Sequence, residues 1–311
     1  MSKRLVIVIV NYKTPDLVIG ALNSLENEIN PSIDQVVIVD NNSSDNSITS
    51  LKKSIDKNNW SNWVSLIESV TNGGFSAGNN QAISAYDAKY YLLLNSDAYV
   101  LKGAINTLLN EADNNCSLGI LGPKIVWPNN EVQVSRFNDM TPLGQFISVA
   151  QTGIITRWFN QLGIYEIPID TNKHGSTQDW LSFACVLIRG KVFNNTGLLD
   201  EKYFMYREDN DYCKRARLSN WQLKYVPEAS IVHLNQGLSN TIKKRMPNFY
   251  YYSRSRYFLK FYGRSGLLLA NIAWTLGRVV SFIREVFTRK KTNIHPMTII
   301  DIWKGFLYGK N

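Results

Sequence analysis

Cysteine is scarce in this chain. It occurs three times, at Cys116, Cys185 and Cys213, an odd and widely spaced set without a CxxC pair. That excludes a disulfide framework and a cysteine-built zinc site, and it fits a reducing cytosol. Repeats and low-complexity linkers are missing too. No GxGxxG fingerprint follows the first apolar run, which argues against a dinucleotide-binding dehydrogenase. That run, Leu5 to Val10, is too short for a signal peptide and leads straight into Asn11 and Tyr12, so secretion is not expected.

What is present suits one large domain or two: 311 residues, 44% hydrophobic and 12% aromatic, enough to bury a sizeable core. The net charge of +9 is unevenly spread. After Asn240, fourteen Lys and Arg stand against Glu285 and Asp301, so the tail carries +12 and everything before it −3. A tail this basic points to an anionic partner, either membrane headgroups or nucleic acid. The negative balance of the first 240 residues and the lack of a nucleic-acid module in the tail disfavour nucleic acid.

Leu5 to Val10 is β-branched and continuous, the mark of a strand buried on both faces. Thr14, Pro15 and Asp16 then open a helix. The pattern repeats: Gln35 to Asp40 is a strand ending in a carboxylate and a turn-rich NNSSD, followed by a helix to about Lys57. Val64 to Glu68 reads as a third strand. NGGFSAGNN (72–80) then supplies permissive glycines and a helix start capped by Ser76, suited to a phosphate or base edge. Tyr91 to Leu94 is a fourth buried strand that ends in Asn95, Ser96 and Asp97. Alternation of this kind implies a parallel, doubly wound sheet, whose strand exits would gather Asn11, Tyr12, Asp40 and Asp97 where such folds bind ligands.

Beyond a helix from Lys102 to about Asp113, Leu118 to Phe137 reads as short strands broken by Pro123 and Pro128. Thr141 to Thr177, with Trp158, Phe159 and Tyr165, suggests a variable region shaped for an acceptor. Trp180 to Arg189 is a strand. Glu208, Asp209 and Asp211 precede Lys214, Arg215 and Arg217, an order that also suits a helix dipole. Gln222 to Val226 is a strand ended by Pro227, before Ile231 to Leu234 presents His233. In the tail, Asn271, Thr275, Arg278 and Glu285 make a polar stripe along Gly266 to Phe287. An in-plane amphipathic helix fits better than a spanning one, which would bury Arg278; a helix packed on the globular domain fits as well.

Together these segments resemble the family 2 inverting glycosyltransferases. The matching pieces are IVIVNYKTPDL, VVIVDNNSSDNS, NGGFSAGNN, YLLLNSDAYV, FACVLIRGKVFNNTGLLDEKYFMYREDNDYCKRARLSNW and VPEASIVHLNQGLS, covering about residues 5 to 240. Bacterial rhamnosyltransferase-like enzymes of surface polysaccharide assembly are the nearest in tone. The resemblance implies an α/β fold of GT-A type, with a Rossmann-like, mostly parallel sheet, acceptor-side additions and a helical basic C-terminal tail. It divides the chain into a transferase domain at 1–240, with a nucleotide-sugar half at 1–100 and an acceptor and catalytic half at 101–240, and a tail at 241–311.

Carried over by position, the donor nucleotide would meet Asn11, Tyr12, Asp40, Asn72, Gly73, Gly74, Asn80 and Asp97. Asp97 matches the last position of the family's DxD-like motif, here NSD, and His233 matches a histidine that in some relatives completes the metal shell. These two would hold Mg²⁺ or Mn²⁺ against the donor diphosphate. Asp209 matches the catalytic base, and Glu208 is a like-charged neighbour that would strengthen it. The implied donor is a dTDP- or UDP-linked sugar, rhamnose being the best guess over galactofuranose, N-acetylglucosamine or glucose. The implied acceptor is a lipid-linked saccharide at the cytoplasmic membrane face, with the tail on anionic lipid. The absent second DxD carboxylate leaves a non-catalytic nucleotide-sugar-binding protein as the alternative.

Overall fold

The structure is a computed structural model that describes residues 2–150, 178–234, 245–288 and 294–308. The chain divides into two compact units. One holds Met1–Arg136, Asp170–Phe204 and Glu208–Gln236; the other holds Phe137–Ile169, Met205–Arg207 and Gly237–Asn311.

The first unit is built on one sheet. Its strands are β1 (Lys3–Asn11), β2 (Asp34–Asp40), β3 (Val64–Glu68), β4 (Ala88–Asn95), β5 (Ala98–Val100), β6 (Leu118–Val126), β7 (Val132–Gln133), β10 (Cys185–Arg189) and β11 (Gln222–His233), in the order β3-β2-β1-β4-β10-β6-β11-β5 with β7 on β6. Two short strands, β8 (Arg136–Phe137) and β9 (Trp180–Leu181), lie apart from it. Parallel pairing joins β1 to β2 and β4, β2 to β3, and β6 to β11. β10 runs antiparallel to β4 and β6.

Helices α1 (Pro15–Leu25), α2 (Ser47–Lys57), α3 (Gly74–Ala85) and α4 (Ala104–Asn114) are the crossovers that parallel strands require. Leu5 to Ile9 are fully buried, as a strand covered on both faces demands. From central β1 the chain runs outward through β2 and β3, then returns to place β4 on the other side of β1. That reversal is the topological switch point, where open α/β sheets bind ligands.

Neither proline breaks its strand. β6 runs through Pro123, which sits opposite Val226, and β11 runs through Pro227 by way of a register shift between Val226 and Ser230. The donors that proline lacks fall at this irregularity, where a regular ladder would otherwise need them.

The second unit holds α5 (Gly144–Ala150), α8 (Asn248–Thr288) and α9 (Thr298–Tyr308). α8 is two helices meeting at Gly263, whose φ of 67° suits glycine. A Cβ on Gly277 would lie 2.5 Å from the carbonyl oxygen of Phe146, so α5 and α8 pack at backbone contact. Val149, Tyr251, Trp274 and Ile302 form its core, and Arg245 Nε holds buried Asp301 at 2.8 Å.

The polar stripe of the tail helix faces inward. Asn271 is fully buried, Thr275 Oγ1 accepts from Trp303 Nε1 at 3.2 Å, and Arg278 pairs with Glu285 at 2.5 Å. The opposite face, including Leu268, Leu269, Ile272, Leu276, Val279 and Ile283, is exposed. A water-surrounded amphipathic helix would show the reverse. The region with Trp158, Phe159 and Tyr165 lies outside the described residues, as do Lys243, Lys244, Arg289, Lys290, Lys291 and Lys310.

Candidate active site

The last rungs of β1 and β2 set Asn11 beside Asp40. Both are buried, and they share a closed set of hydrogen bonds. Asp40 Oδ1 accepts from Asn11 Nδ2 and from Ser43 Oγ, each at 2.6 Å, while its Oδ2 accepts the Ser43 amide at 3.0 Å. Oδ2 keeps a lone-pair direction for a further donor. Asn11 Oδ1 accepts the Thr14 amide at 3.2 Å, which ties the strand exit to the start of α1. Thr14 itself makes no side-chain cap bond. Lys13, Asn42 and Ser44 in these exits adopt left-handed backbone, a strained conformation for non-glycine residues that gathers at functional loops. Tyr12 projects here, 46% exposed.

Asn72 and the two glycines close the neighbouring wall. Asn72 Oδ1 accepts the Gly74 amide at 3.0 Å and Asn41 Nδ2 at 2.9 Å. α3 thus begins at Gly74 with Gly73 as its cap residue, and Ser76 lies inside the helix. Gly74 has φ +82°, and a Cβ there would sit 1.9 Å from Phe204 O. Asn80 is spent elsewhere: its amide donates to Leu199 O and Glu201 Oε1 at 2.9 Å and accepts the Leu199 amide at 3.1 Å. Asn41 Oδ1 and Ser76 Oγ are buried and lack hydrogen-bond partners. Such orphans cost about 1–3 kcal/mol each unless a ligand group meets them.

At the end of β4, Asp97 faces His233. Strand β11 brings the histidine there by pairing antiparallel with β5, His233 opposite Ala98, and the Leu234 amide donates to Asp97 O at 3.0 Å. His233 Nε2 lies 3.2 Å from Asp97 Oδ1. Gln133, from β7, fixes the ring: its Nε2 donates to His233 O at 2.7 Å, leaving Oε1 to face His233 Nδ1 at 3.2 Å. An Nδ1–H donated to Gln133 Oε1 leaves Nε2 facing the carboxylate, where a proton or a metal ion would bridge the two. Asp97's charge also adds to the burial that pushes the Tyr99 phenol up.

The chemistry of this pair fits a divalent ion. A lone pair and a carboxylate oxygen at 3.2 Å repel unless a proton or metal ion closes the gap. The 3.2 Å between this nitrogen and this carboxylate oxygen is a gap that a shared Mg²⁺ or Mn²⁺ would fill. Among the described residues no group of three His, Cys, Asp or Glu could hold a metal. Diphosphate oxygens and water would therefore supply the other positions, as is usual for Mg²⁺.

Glu208 and Asp209 open α7 (Glu208–Leu218), which follows α6 (Gly190–Thr196). Asp209 Oδ1 accepts the Asn210 amide at 2.8 Å. Asp211 anchors the helix: fully buried, it accepts from Arg215 Nε at 2.6 Å and from Tyr203 OH at 3.3 Å, while Arg215 also holds Thr196 O and Leu198 O. Asn210 is fully buried, with no hydrogen-bond partner at either amide atom.

Sequence reasoning missed Ser43, Asn41, Gln133 and Asn210. Ser43 and Asn41 lay inside the flagged NNSSD turn. Gln133 and Asn210 carried no local signal.

The family model for glycosyl transferase family 2 matches residues 6–173. The chain is 26% identical over 226 residues to an N-acetylglucosaminyl-diphospho-decaprenol L-rhamnosyltransferase of Mycobacterium tuberculosis, covering 68% of this chain and 72% of that one. It is 28% identical over 246 residues to a low-salt glycan biosynthesis hexosyltransferase of Haloferax volcanii, covering 78% and 70%. The fold is similar to that of a mannosyltransferase from Pyrobaculum calidifontis in complex with GDP-Man and Mn²⁺, with TM-score 0.59, 11% identity and coverage of 100% and 89%. It is also similar to S. aureus TarS 1–349 in complex with UDP-GlcNAc, with TM-score 0.57, 14% identity and coverage of 98% and 81%. A switch-point site of this make-up, on a sheet of this topology and with a family match across more than half its length, identifies the chain as a member of glycosyl transferase family 2, a glycosyltransferase of GT-A fold.

Proposed function

We propose that this enzyme transfers rhamnose, with inversion, from a dTDP- or UDP-linked donor to a lipid-linked saccharide at the cytoplasmic face of a membrane. The observation that carries the transfer chemistry is the Asp97–His233 pair beside the Asn11–Asp40 knot, at the exits of the strands that flank the switch point.

In this reading the remaining lone pair on Asp40 Oδ2 accepts the ring N–H of a pyrimidine, and exposed Tyr12 stacks against the base. Asn41 Oδ1 and Ser76 Oγ supply polar contacts that the protein leaves unmade. Asp97 and His233 would hold Mg²⁺ or Mn²⁺, which as a Lewis acid stabilises the charge building on the departing diphosphate. Asp209 takes the proton from the acceptor hydroxyl. The new C–O bond forms on the face opposite the breaking bond to phosphate, the nucleoside diphosphate leaves with its electron pair, and one displacement inverts the anomeric centre.

Two observations support the sugar and the acceptor. The Mycobacterium tuberculosis relative is a rhamnosyltransferase named for a diphospho-decaprenol substrate. The outward apolar face of α8 is the kind of surface that seats on lipid, and the basic residues of the tail suit anionic headgroups. The helix is long and apolar enough to cross a membrane, but its inward face carries Asn271, Ser281 and the Arg278–Glu285 pair packed within its own unit, which favours an in-plane seat.

A thermal-shift panel of nucleotide sugars tests the assignment. Saturating dTDP-rhamnose with Mn²⁺ is expected to stabilise the protein, by about 2.7 kcal/mol at a hundredfold excess over Kd, and less without the metal. Preference for another donor would reassign the sugar, and silence across the panel would overturn the reading.

A further inference from the structure

The second unit contains a buried cation whose partners are all neutral. Arg254 is 3% exposed, and its guanidinium donates to Gln145 Oε1 at 2.9 Å, Asn271 Oδ1 at 2.7 Å and Ala270 O at 3.3 Å, with the Phe258 ring 4.9 Å away. Among the described residues no carboxylate reaches it. Burial pushes this guanidinium down to about 9, and the charge on Arg207 pushes in the same direction. A fold that buries a cation among neutral partners gains from an anion brought near it.

Arg207 is held in place at some cost. Tyr206 and Arg207 are consecutive non-glycine residues with φ of 70° and 71°, a strained left-handed backbone. The start of α8 enforces this shape: Ser253 Oγ donates to Met205 O at 2.9 Å, and Tyr206 stacks on Phe249 with centroids 6.0 Å apart. The Arg207 guanidinium lies over Tyr250, 5.9 Å from the ring centre.

We propose that Arg207, backed by Arg254, binds the phosphate oxygens of a diphosphate-linked acceptor. The planar donor fork of Arg207 suits phosphate oxygens, and buried Arg254 adds its charge from behind. The acceptor assignment rests on the function proposed above. Its physical link is the chain itself: Asp209 lies two residues after Arg207, no more than about 7 Å along the backbone.

The test uses the full chain in EDTA, where a metal-dependent donor site is silent, with sodium pyrophosphate as the probe in calorimetry and thermal shift. Saturable binding is expected. Arg207→Gln should weaken it about tenfold or more, Arg207→Lys should restore part of it, and Asp97→Asn should leave it unchanged. Gln145→Glu keeps the packing but gives Arg254 an internal anion, and it should weaken pyrophosphate binding several-fold. Equal pyrophosphate affinity in wild type and Arg207→Gln overturns the site, as does no binding at all. Vesicles of phosphatidylglycerol against phosphatidylcholine separate the source: binding unaffected by Arg207→Gln is expected, and a parallel loss would assign the phosphate to bilayer headgroups and overturn the acceptor assignment. Pyrophosphate binding is read without donor or turnover, so a failed donor panel and a failed anion site are distinguishable.

Discussion

His233 Nε2 lies 3.2 Å from Asp97 Oδ1, and Gln133 is the residue that aims it there. Gln133→Ala should leave the imidazole able to rotate and to change tautomer. The expected result is a half-saturating Mn²⁺ concentration for transfer raised by about 10–100-fold, the usual cost of losing a partner behind a metal ligand. A metal titration of activity checks this, and an unchanged half-saturating Mn²⁺ concentration would show that the ring needs no such support.

Asn80 fastens Leu199 and Glu201 to α3. Asn80→Ala is expected to lower stability by about 1–3 kcal/mol, since it leaves buried backbone groups without partners. Urea unfolding paired with donor KM separates the two roles: a large rise in KM without loss of stability would move Asn80 into the donor pocket.

Gly74 and Gly103 both have positive φ, but only at Gly74 would a Cβ meet another atom within 4 Å. Gly103→Ala should cost about 1–2 kcal/mol of backbone strain. Gly74→Ala adds a collision with Phe204 O and should cost more than about 3 kcal/mol. Comparison of the two melting transitions checks the difference, and equal losses would mean that the Phe204 segment yields easily.

These cases also show what could be read before the fold was known. β1, β2 and β4 were legible because a strand buried on both faces leaves a continuous apolar run, and the polar residues that end each run, Asn11, Asp40 and Asp97, mark the strand exits. Gln133 was not, because its role arises from a two-residue strand paired on β6 and from a histidine distant in sequence. Pro123 and Pro227 misled for a related reason: a bulge in the partner strand decides whether a missing donor matters, and no local rule contains the partner. Periodicity found both faces of the tail helix. Which one faces inward depended on Arg254, whose buried guanidinium draws Asn271 inward.

Asp113 ties acid stability to a surface cluster. Lys89 Nζ and Tyr90 OH donate to it at 2.5 and 2.6 Å and hold its carboxyl below the usual carboxylate range, while burial, with Asp113 adding, pushes the Tyr90 phenol up to about 12. A carboxyl with a depressed folded-state pKa stabilises the fold above its unfolded value, near about pH 4, and loses that contribution as pH falls through the folded value. Asp113→Asn should therefore lower Tm slightly at neutral pH and flatten the fall of Tm below about pH 4, modestly because the pair is half exposed. Parallel melting curves against pH would show the contrary if wild type and variant lost stability with the same slope.

Leu276, Val279 and Ile283 lie on the outward face of α8, each about half exposed. Replacing all three with Ser should leave unfolding nearly unchanged and weaken binding to anionic liposomes about tenfold or more, because the lost apolar area is buried in lipid and not in the protein. Vesicle co-sedimentation beside a urea titration checks both halves. Undiminished vesicle binding would show that another surface meets the membrane.

The central claim is that Asp209 is the base of a sugar transfer whose donor is held elsewhere, by Asp40, Asp97 and His233. Single-turnover transfer from dTDP-rhamnose by Asp209→Asn, measured beside donor affinity in the same sample, tests it most directly. The account predicts a loss of about 10²–10⁴ in rate with donor affinity essentially retained. Transfer at the wild-type rate would contradict it.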